Sequence, residues 1–193
     1  MATRRRTASD QVSAAVLAAA ETVLDRGGAD AVTVRAVASE AQVAPMSVYN
    51  HFASKKGLLD ALAIRAFDEL ASAIAVAITR SPQNRLRLAC HGYRDFALAH
   101  PARYTLIFSA GSPAAEPASP VHQRGRKVFD TLVDMVRDVA PSSEHPAVEL
   151  GQAVWSALHG AVSLELNALN QTAHPDPSFD VLIDMALRGI TAS

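Results

Sequence analysis

The chain has 193 residues, 49% of them hydrophobic and 19% charged, with a formal net charge of −1. That length suits one or two domains with a buried core, and the balance of apolar and charged residues excludes a disordered chain. No apolar run is long enough to cross a bilayer, and the basic start MATRRRTASD lacks the apolar centre and cleavage pattern of an export signal, so a cytoplasmic location with no membrane contact is expected.

In chain order, residues 9–26 predict a first helix, with Val12, Ala15, Val16, Ala19, Ala20, Val23 and Leu24 as its apolar stripe. Ser9 is expected as its N-cap and Gly27-Gly28 as its stop. Val34, Val37, Ala38 and Ala41 recur at i, i+3, i+4 and i+7, which predicts a second, short helix capped by Thr33. Gln42, Val43 and Ala44 interrupt that period. Pro45 then opens a third helix, at the position where a missing backbone N–H costs nothing. Val48 and Phe52 are four apart and face the second helix, leaving Pro45, Met46, Ser47, Tyr49, Asn50 and His51 outward. Ser54 caps a fourth helix, and Lys55 and Lys56 stand beside the exposed face. Two helices joined by a turn of a few residues form the unit whose second helix enters a DNA major groove, about 12 Å wide. Periodicity alone favours the plainer reading, a helical hairpin inside an all-α protein.

Roughly residues 10–60 resemble the DNA-binding domain of the TetR family of bacterial transcriptional regulators. TVRAVASEA is similar to its second helix, and VAPMSVYNHFASKKGLLDAL to its recognition helix and the helix that follows: turn, small residue, Tyr-x-x-Phe, then a capped Lys. By that resemblance Tyr49, His51 and Lys55 are phosphate contacts, Thr33 and Arg35 backbone contacts from the preceding helix, and Met46, Ser47 and Asn50 base readers at the helix that Pro45 opens. The family often has Gly where this chain has Gln42, a place suited to positive φ, and an acidic residue where Lys56 stands. Residues 1–60 carry seven Lys and Arg against six acids, and the remainder eleven against thirteen. The asymmetry is slight, but most of the N-terminal cations lie near the expected groove face. Arg4, Arg5 and Arg6 read either as an arm touching phosphates or a minor groove, or as a solvated tail.

From Leu58 the stripe Leu59, Leu62, Ala66, Leu70, Ile74, Ile78 predicts a helix of about six turns, ending at Ser81-Pro82. Residues 83–99 predict another, with Leu86, Ala89, Cys90, Tyr93, Phe96 and Ala97 inward, and Ala102 to Phe108 a short one. The three prolines of AGSPAAEPASP, residues 110–120, predict a mobile surface loop. Residues 121–139 bury Val128, Leu132, Met135, Val136 and Val139. Residues 147–170 place Val154, Trp155, Leu158, Val162, Leu166 and Leu169 on one side, and Phe179, Leu182, Ile183, Ala186 and Ile190 mark a last helix. The fold class is therefore all-α, about nine helices: a three-helix DNA-binding domain over residues 1–55 and a helical bundle over 56–193.

AVWSALHGAVSLELNAL, with Trp155, His159 and Gly160, resembles a TetR-type C-terminal ligand-binding domain known by a Trp-His-Gly signature, and Arg103-Tyr104 followed by Leu106, Ile107 and Phe108 resembles it as well. That resemblance implies a homodimer packed through residues 147–170 and 179–190, and a small-molecule effector. Tyr93, Phe96, Tyr104, Phe108, Phe129, Met135, Trp155 and His159 are a candidate set for an apolar cavity with polar handles. No nucleophile elbow, phosphate loop or H-E-x-x-H run is present, the seven histidines lack the local spacing of metal ligands, and Cys90 stands alone as a small core residue, so no catalytic residue, cofactor or metal is expected. The expected function is ligand-responsive repression at a double-stranded operator. The alternative is a small-molecule-binding protein whose N-terminal hairpin docks a protein partner.

Overall fold

The computed structural model describes residues 2–78 and 80–192, with side chains from Asp10 onward, so the reading of Arg4–Arg6 lies outside the described side chains. Among the described residues nine α-helices follow one another: α1 (Ala2–Ala31), α2 (Val34–Glu40), α3 (Pro45–Phe52), α4 (Lys55–Ile74), α5 (Pro82–Ala99), α6 (Pro101–Phe108), α7 (Pro120–Val139), α8 (Ala147–Leu166) and α9 (Pro175–Thr191). They form two compact units, residues 1–67 with 100–124, and residues 68–99 with 125–193.

In the first unit α1 buries Val16, Ala20 and Leu24 completely, with Ala19 and Val23 nearly so. Ser9 is not its cap: the helix starts at Ala2, because the intervening residues include three arginines, good helix formers that let the helix extend upstream. The glycines break the helix where they predict it: Gly28, with φ 70° and ψ −174°, is a non-helical kink that sets the last residues to Ala31 apart from the rest of α1. Ion pairs join α1 to its neighbours, Arg103 of α6 to Asp25 at 3.1 and 2.7 Å, Arg65 of α4 to Glu21, and Arg26 to Glu40 of α2. Each fully buried aliphatic side chain contributes about 1.5–3 kcal/mol and each exposed ion pair about 0–1. The apolar stripe therefore holds this unit together, and the pairs orient it.

α4 buries Leu58, Leu62, Ala63, Ala66, Phe67, Leu70 and Ile74, while Leu59 is only half-buried. It ends at Ile74, four residues before the expected Ile78, which is 82% exposed. A further turn would add β-branched Val76 and Ile78 with no buried surface to offset their ordering. α8 likewise ends at Leu166, short of the expected residue 170. Ala168 takes a positive φ of 54°, and Leu169 lies outside the helix, 57% exposed. The proline-rich segment after α6 holds a 3₁₀ turn, Pro113–Ala115, anchored by buried Ser112, whose hydroxyl donates to the Ile107 carbonyl at 2.9 Å and accepts from Ala114 N–H at 3.1 Å.

The second unit packs α5 against α8 and α9, and α8 against α9. Its core holds Leu86, Cys90, Phe96, Met135, Val136, Val154, Leu158, Val162, Phe179 and Ile183. Gly92 is required there. A Cβ on it would stand 2.1 Å from the Ala73 carbonyl oxygen, so α5 passes the end of α4 at backbone contact.

Candidate nucleic-acid interface

Thr33 has extended backbone and its hydroxyl accepts from Ala36 N–H at 3.1 Å, capping α2 as expected. Val37 and Ala38 point inward. The turn to α3 runs through Gln42 at φ 55°, the left-handed conformation expected where Gly is common, and here a residue with a side chain bears that cost. Pro45 opens α3 after Ala44, whose backbone is extended as the residue before a proline prefers.

α3 divides its residues sharply. Val48 is 1% exposed, whereas Met46 is 66% and Tyr49 49% exposed. Pro45 and Asn50 are also exposed, and Ser47, His51 and Phe52 are half-buried. An α-helix with its side chains is about 10–12 Å across, which a major groove about 12 Å wide admits. Thr33 and Arg35 are exposed on the preceding helix. The nine residues expected at the interface thus all belong to α2, α3 and their immediate flanks.

The two lysines after α3 are not equivalent. Lys55 makes a long 3.4 Å contact to the Asp30 carbonyl oxygen. Lys56 lies between Asp60 at 3.0 Å and Glu116 at 3.1 Å, and both carboxylates raise its pKa. Its charge is locally balanced, while Lys55 faces a neutral partner.

Sequence reading missed Gly57. Its N–H donates to the Ser54 hydroxyl at 3.1 Å, and a Cβ there would lie 2.2 Å from the Phe52 carbonyl oxygen. The last turn of α3 thus rests on the first turn of α4, with Ala53 at φ 58° between them. The spacing Ser54-x-x-Gly57 is the signal that was there to be read.

The eight residues expected around a ligand divide between the units. In the first, Tyr104 and Phe108 stack edge to face at 5.0 Å, and Phe108 meets Phe67 at 5.9 Å. In the second, Phe129 and Trp155 lie 5.9 Å apart and Trp155 and His159 6.0 Å, while the Tyr93 hydroxyl is 3.2 Å from His159 Nδ1. Phe96 and Met135 are buried in that unit. Burial holds the pKa of His159 below its ordinary value and favours the neutral ring. Gly160 has open space around its missing Cβ, with nothing among the described residues within 4 Å. Gly151 instead is closely approached: a Cβ on it would stand 2.9 Å from a Val133 methyl.

Residues 16–62 match the family model for bacterial regulatory proteins of the tetR family, and residues 86–186 match a tetracyclin repressor-like C-terminal domain. The chain is 30% identical over 138 residues to the HTH-type transcriptional repressor KstR of Rhodococcus jostii, covering 69% of this chain and 63% of that one. It is 28% identical to an uncharacterised HTH-type transcriptional regulator of Mycobacterium tuberculosis, over 90% of this chain and 77% of the other. Among solved structures, a protein of unknown function from Rhodococcus sp. RHA1 superposes with a TM-score of 0.78 at 26% identity, over 92% of this chain and 94% of that one. A TetR regulator from Streptomyces coelicolor shares the fold, with a TM-score of 0.72 at 21% identity over 92% and 96% of the two chains.

Proposed function

Because the chain belongs to the TetR family of DNA-binding transcriptional regulators, we propose that it works as a homodimeric repressor that a small molecule releases from its operator. The observation that carries this reading is the exposed outer side of α3, with Met46 and Tyr49 at 66% and 49% exposure around a fully buried Val48. Residues 1–55 meet the DNA and residues 56–193 bind effector and partner. Tyr49, His51 and Lys55 engage phosphates with Thr33 and Arg35, and Met46, Ser47 and Asn50 reach base edges from the helix that Pro45 starts. A repressing role agrees with the similarity to KstR, an HTH-type transcriptional repressor. We assign no catalytic step, since the family and its relatives are transcriptional regulators. No described helix is long and apolar enough to cross a membrane, and we place the protein in the cytoplasm with its operator.

The dimer reading draws on the outer faces of α8 and α9, where Val148, Leu164, Val181 and Met185 are between 42% and 63% exposed. On α8, Val148, Gln152, Ser156, Gly160 and Leu164 form one exposed i+4 row, and open Gly160 lets a second helix come close. Two copies present their α3 helices about 34–36 Å apart to successive major-groove faces of a near-palindromic site. Within the second unit, Tyr93, Phe96, Phe129, Met135, Trp155 and His159 are the residues we propose for the effector site. By linkage, an effector that weakens DNA binding is itself bound less tightly by the DNA complex, by the same factor.

A gel shift with the DNA upstream of the chain's own gene, in excess nonspecific competitor, tests this reading. Retention of that fragment, with Tyr49→Phe and Asn50→Ala weakening it, is expected. A protein that binds specific and nonspecific DNA equally, or binds neither, favours the rival in which α3 docks a protein.

A further inference from the structure

α5 and α9 are joined by charges in a regular order. Arg87 pairs with Asp184, His91 Nε2 lies 3.1 Å from Asp180 Oδ1, and Arg94 Nη2 lies 2.6 Å from Asp176 Oδ1. Arg87, His91 and Arg94 are spaced i, i+4, i+7 along α5 and the carboxylates i, i+4, i+8 along α9, running in opposite directions, so each turn of one helix meets one turn of the other. We propose that this ladder sets the axial register of α9 on α5, and thereby aims the apolar outer side of α9 at a second copy of the chain. The proposal rests on the homodimer reading above.

Magnitudes decide what such a ladder does. Asp176, Asp180 and Asp184 are 81%, 56% and 45% exposed at their side chains, so each pair contributes little to stability. The apolar side of α9, Phe179, Ile183 and Ile190, supplies the attraction. Apolar burial has little direction along the helix axis, whereas paired charges have a great deal. A slide of four residues one way brings Asp180 opposite Arg87 and Thr172 opposite Arg94, and takes Asp176 from Arg94. A slide the other way brings Arg188 against Arg87. Only the observed register pairs all three rungs.

The last rung is locked from a third helix. Arg94, 8% exposed, donates to Glu165 of α8 through Nε and Nη2, both at 2.7 Å, and lies over the Phe179 ring at 5.2 Å. His91 meets the same ring at 5.7 Å. One guanidinium thus fixes α8 and α9, the two helices of the proposed dimer face, to a common point on α5. On α9, Val181 and Met185 stand at i and i+4 on the side away from Phe179 and Ile183, both exposed. An axial slip of one helical turn, about 5.4 Å, moves this row out of line with its counterpart on α8.

Charge exchange tests the ladder. Arg87→Glu, Asp184→Arg and the double variant are compared with the wild-type chain by sedimentation equilibrium, with helix content checked by circular dichroism. The expected result is a wild-type dimer, a dissociation constant raised roughly tenfold or more in each single variant at unchanged helicity, and recovery to within about threefold of wild type in the double variant. Arg94 is left intact, since removing it strands Glu165. A dimer indifferent to the single changes, or one weakened by them and not rescued by the exchange, overturns the ladder while leaving the homodimer reading in place. A wild-type chain that stays monomeric overturns the homodimer reading, and the aiming role with it.

Discussion

The two units distribute charge and apolar surface in opposite ways. Around α3 Val48 goes inward and the outward side chains are Met46, Tyr49 and Asn50, with Lys55 left to a long contact with a neutral carbonyl. Around α9 the three aspartates are paired with side chains of α5, and the outward residues include Val181 and Met185. A surface that meets a polyanion needs available cations and hydrogen-bond donors. A surface that meets a copy of itself needs area that water does not hold, with its charges already matched. The contrast teaches that exposure alone does not name a partner. What the neighbouring charges are already bound to narrows the choice.

The sharpest way to break the contrast is to damage one unit and leave the other. Gly57→Ala forces a Cβ into the Phe52 carbonyl and is expected to destabilise the first unit by about 3 kcal/mol, abolishing operator binding. The near-ultraviolet signal of Trp155 in the second unit should survive, and thermal melting with gel shift checks both. A coincident loss of the two signals shows that the units fold as one.

Next in size is a probe of how closed the second unit is. Burial pushes the Cys90 thiol up to about 12 from 9.0, so in the native protein at mild alkaline pH its alkylation should be slower than in the unfolded chain on the order of a thousandfold. Rapid native labelling removes Cys90 from the closed core.

Two interface variants then sharpen what α3 and its flank do. Lys55→Ala is expected to lower affinity for every DNA sequence and reduce the salt slope by about one per protomer. Asn50→Ala is expected instead to cost about 1–3 kcal/mol of discrimination at one base pair of each half-site, read by competition with single-substitution operators. A Lys55→Ala protein with unchanged slope removes that residue from the phosphate contacts.

The smallest effect belongs to His159. Its pKa in the folded chain lies below the ordinary 6.5, so the unfolded chain takes up the proton more readily. The stabilisation is complete above that ordinary value and is lost as pH falls through the folded value. Melting temperature should decline from about pH 7 to about pH 5.5, and His159→Gln should flatten that decline.

How much of this was legible varies with the length over which the cause acts. The caps at Thr33 and Ser54, the break at Gly28 and the inward face of α5 were readable because each depends on residues within a turn or two. The ends of α4 and α8 were overextended, since the apolar period continued through Ile78 and Leu169 although no buried surface receives them. Burial of Arg94 could not be read from α5 alone, where Tyr93 and Phe96 flank it with ordinary helical spacing, because its partners lie 71 and 82 residues away. Likewise nothing local says that α6 joins the unit of α1, which takes Arg103 opposite Asp25 across 78 residues.

By itself, then, the sequence determined the all-helical class, the helix-turn-helix with Pro45, Met46, Tyr49 and Asn50 outward, and through its motifs the family. Those follow from periodicity, capping and turn chemistry, which act within a few residues. Only the tertiary structure decided which cations are already paired, where a glycine admits a neighbouring backbone, and how α5 and α9 are registered. Each of these depends on groups that come within a few ångströms after chain segments far apart have packed, and pairwise energies of that kind leave no periodic trace in either segment alone.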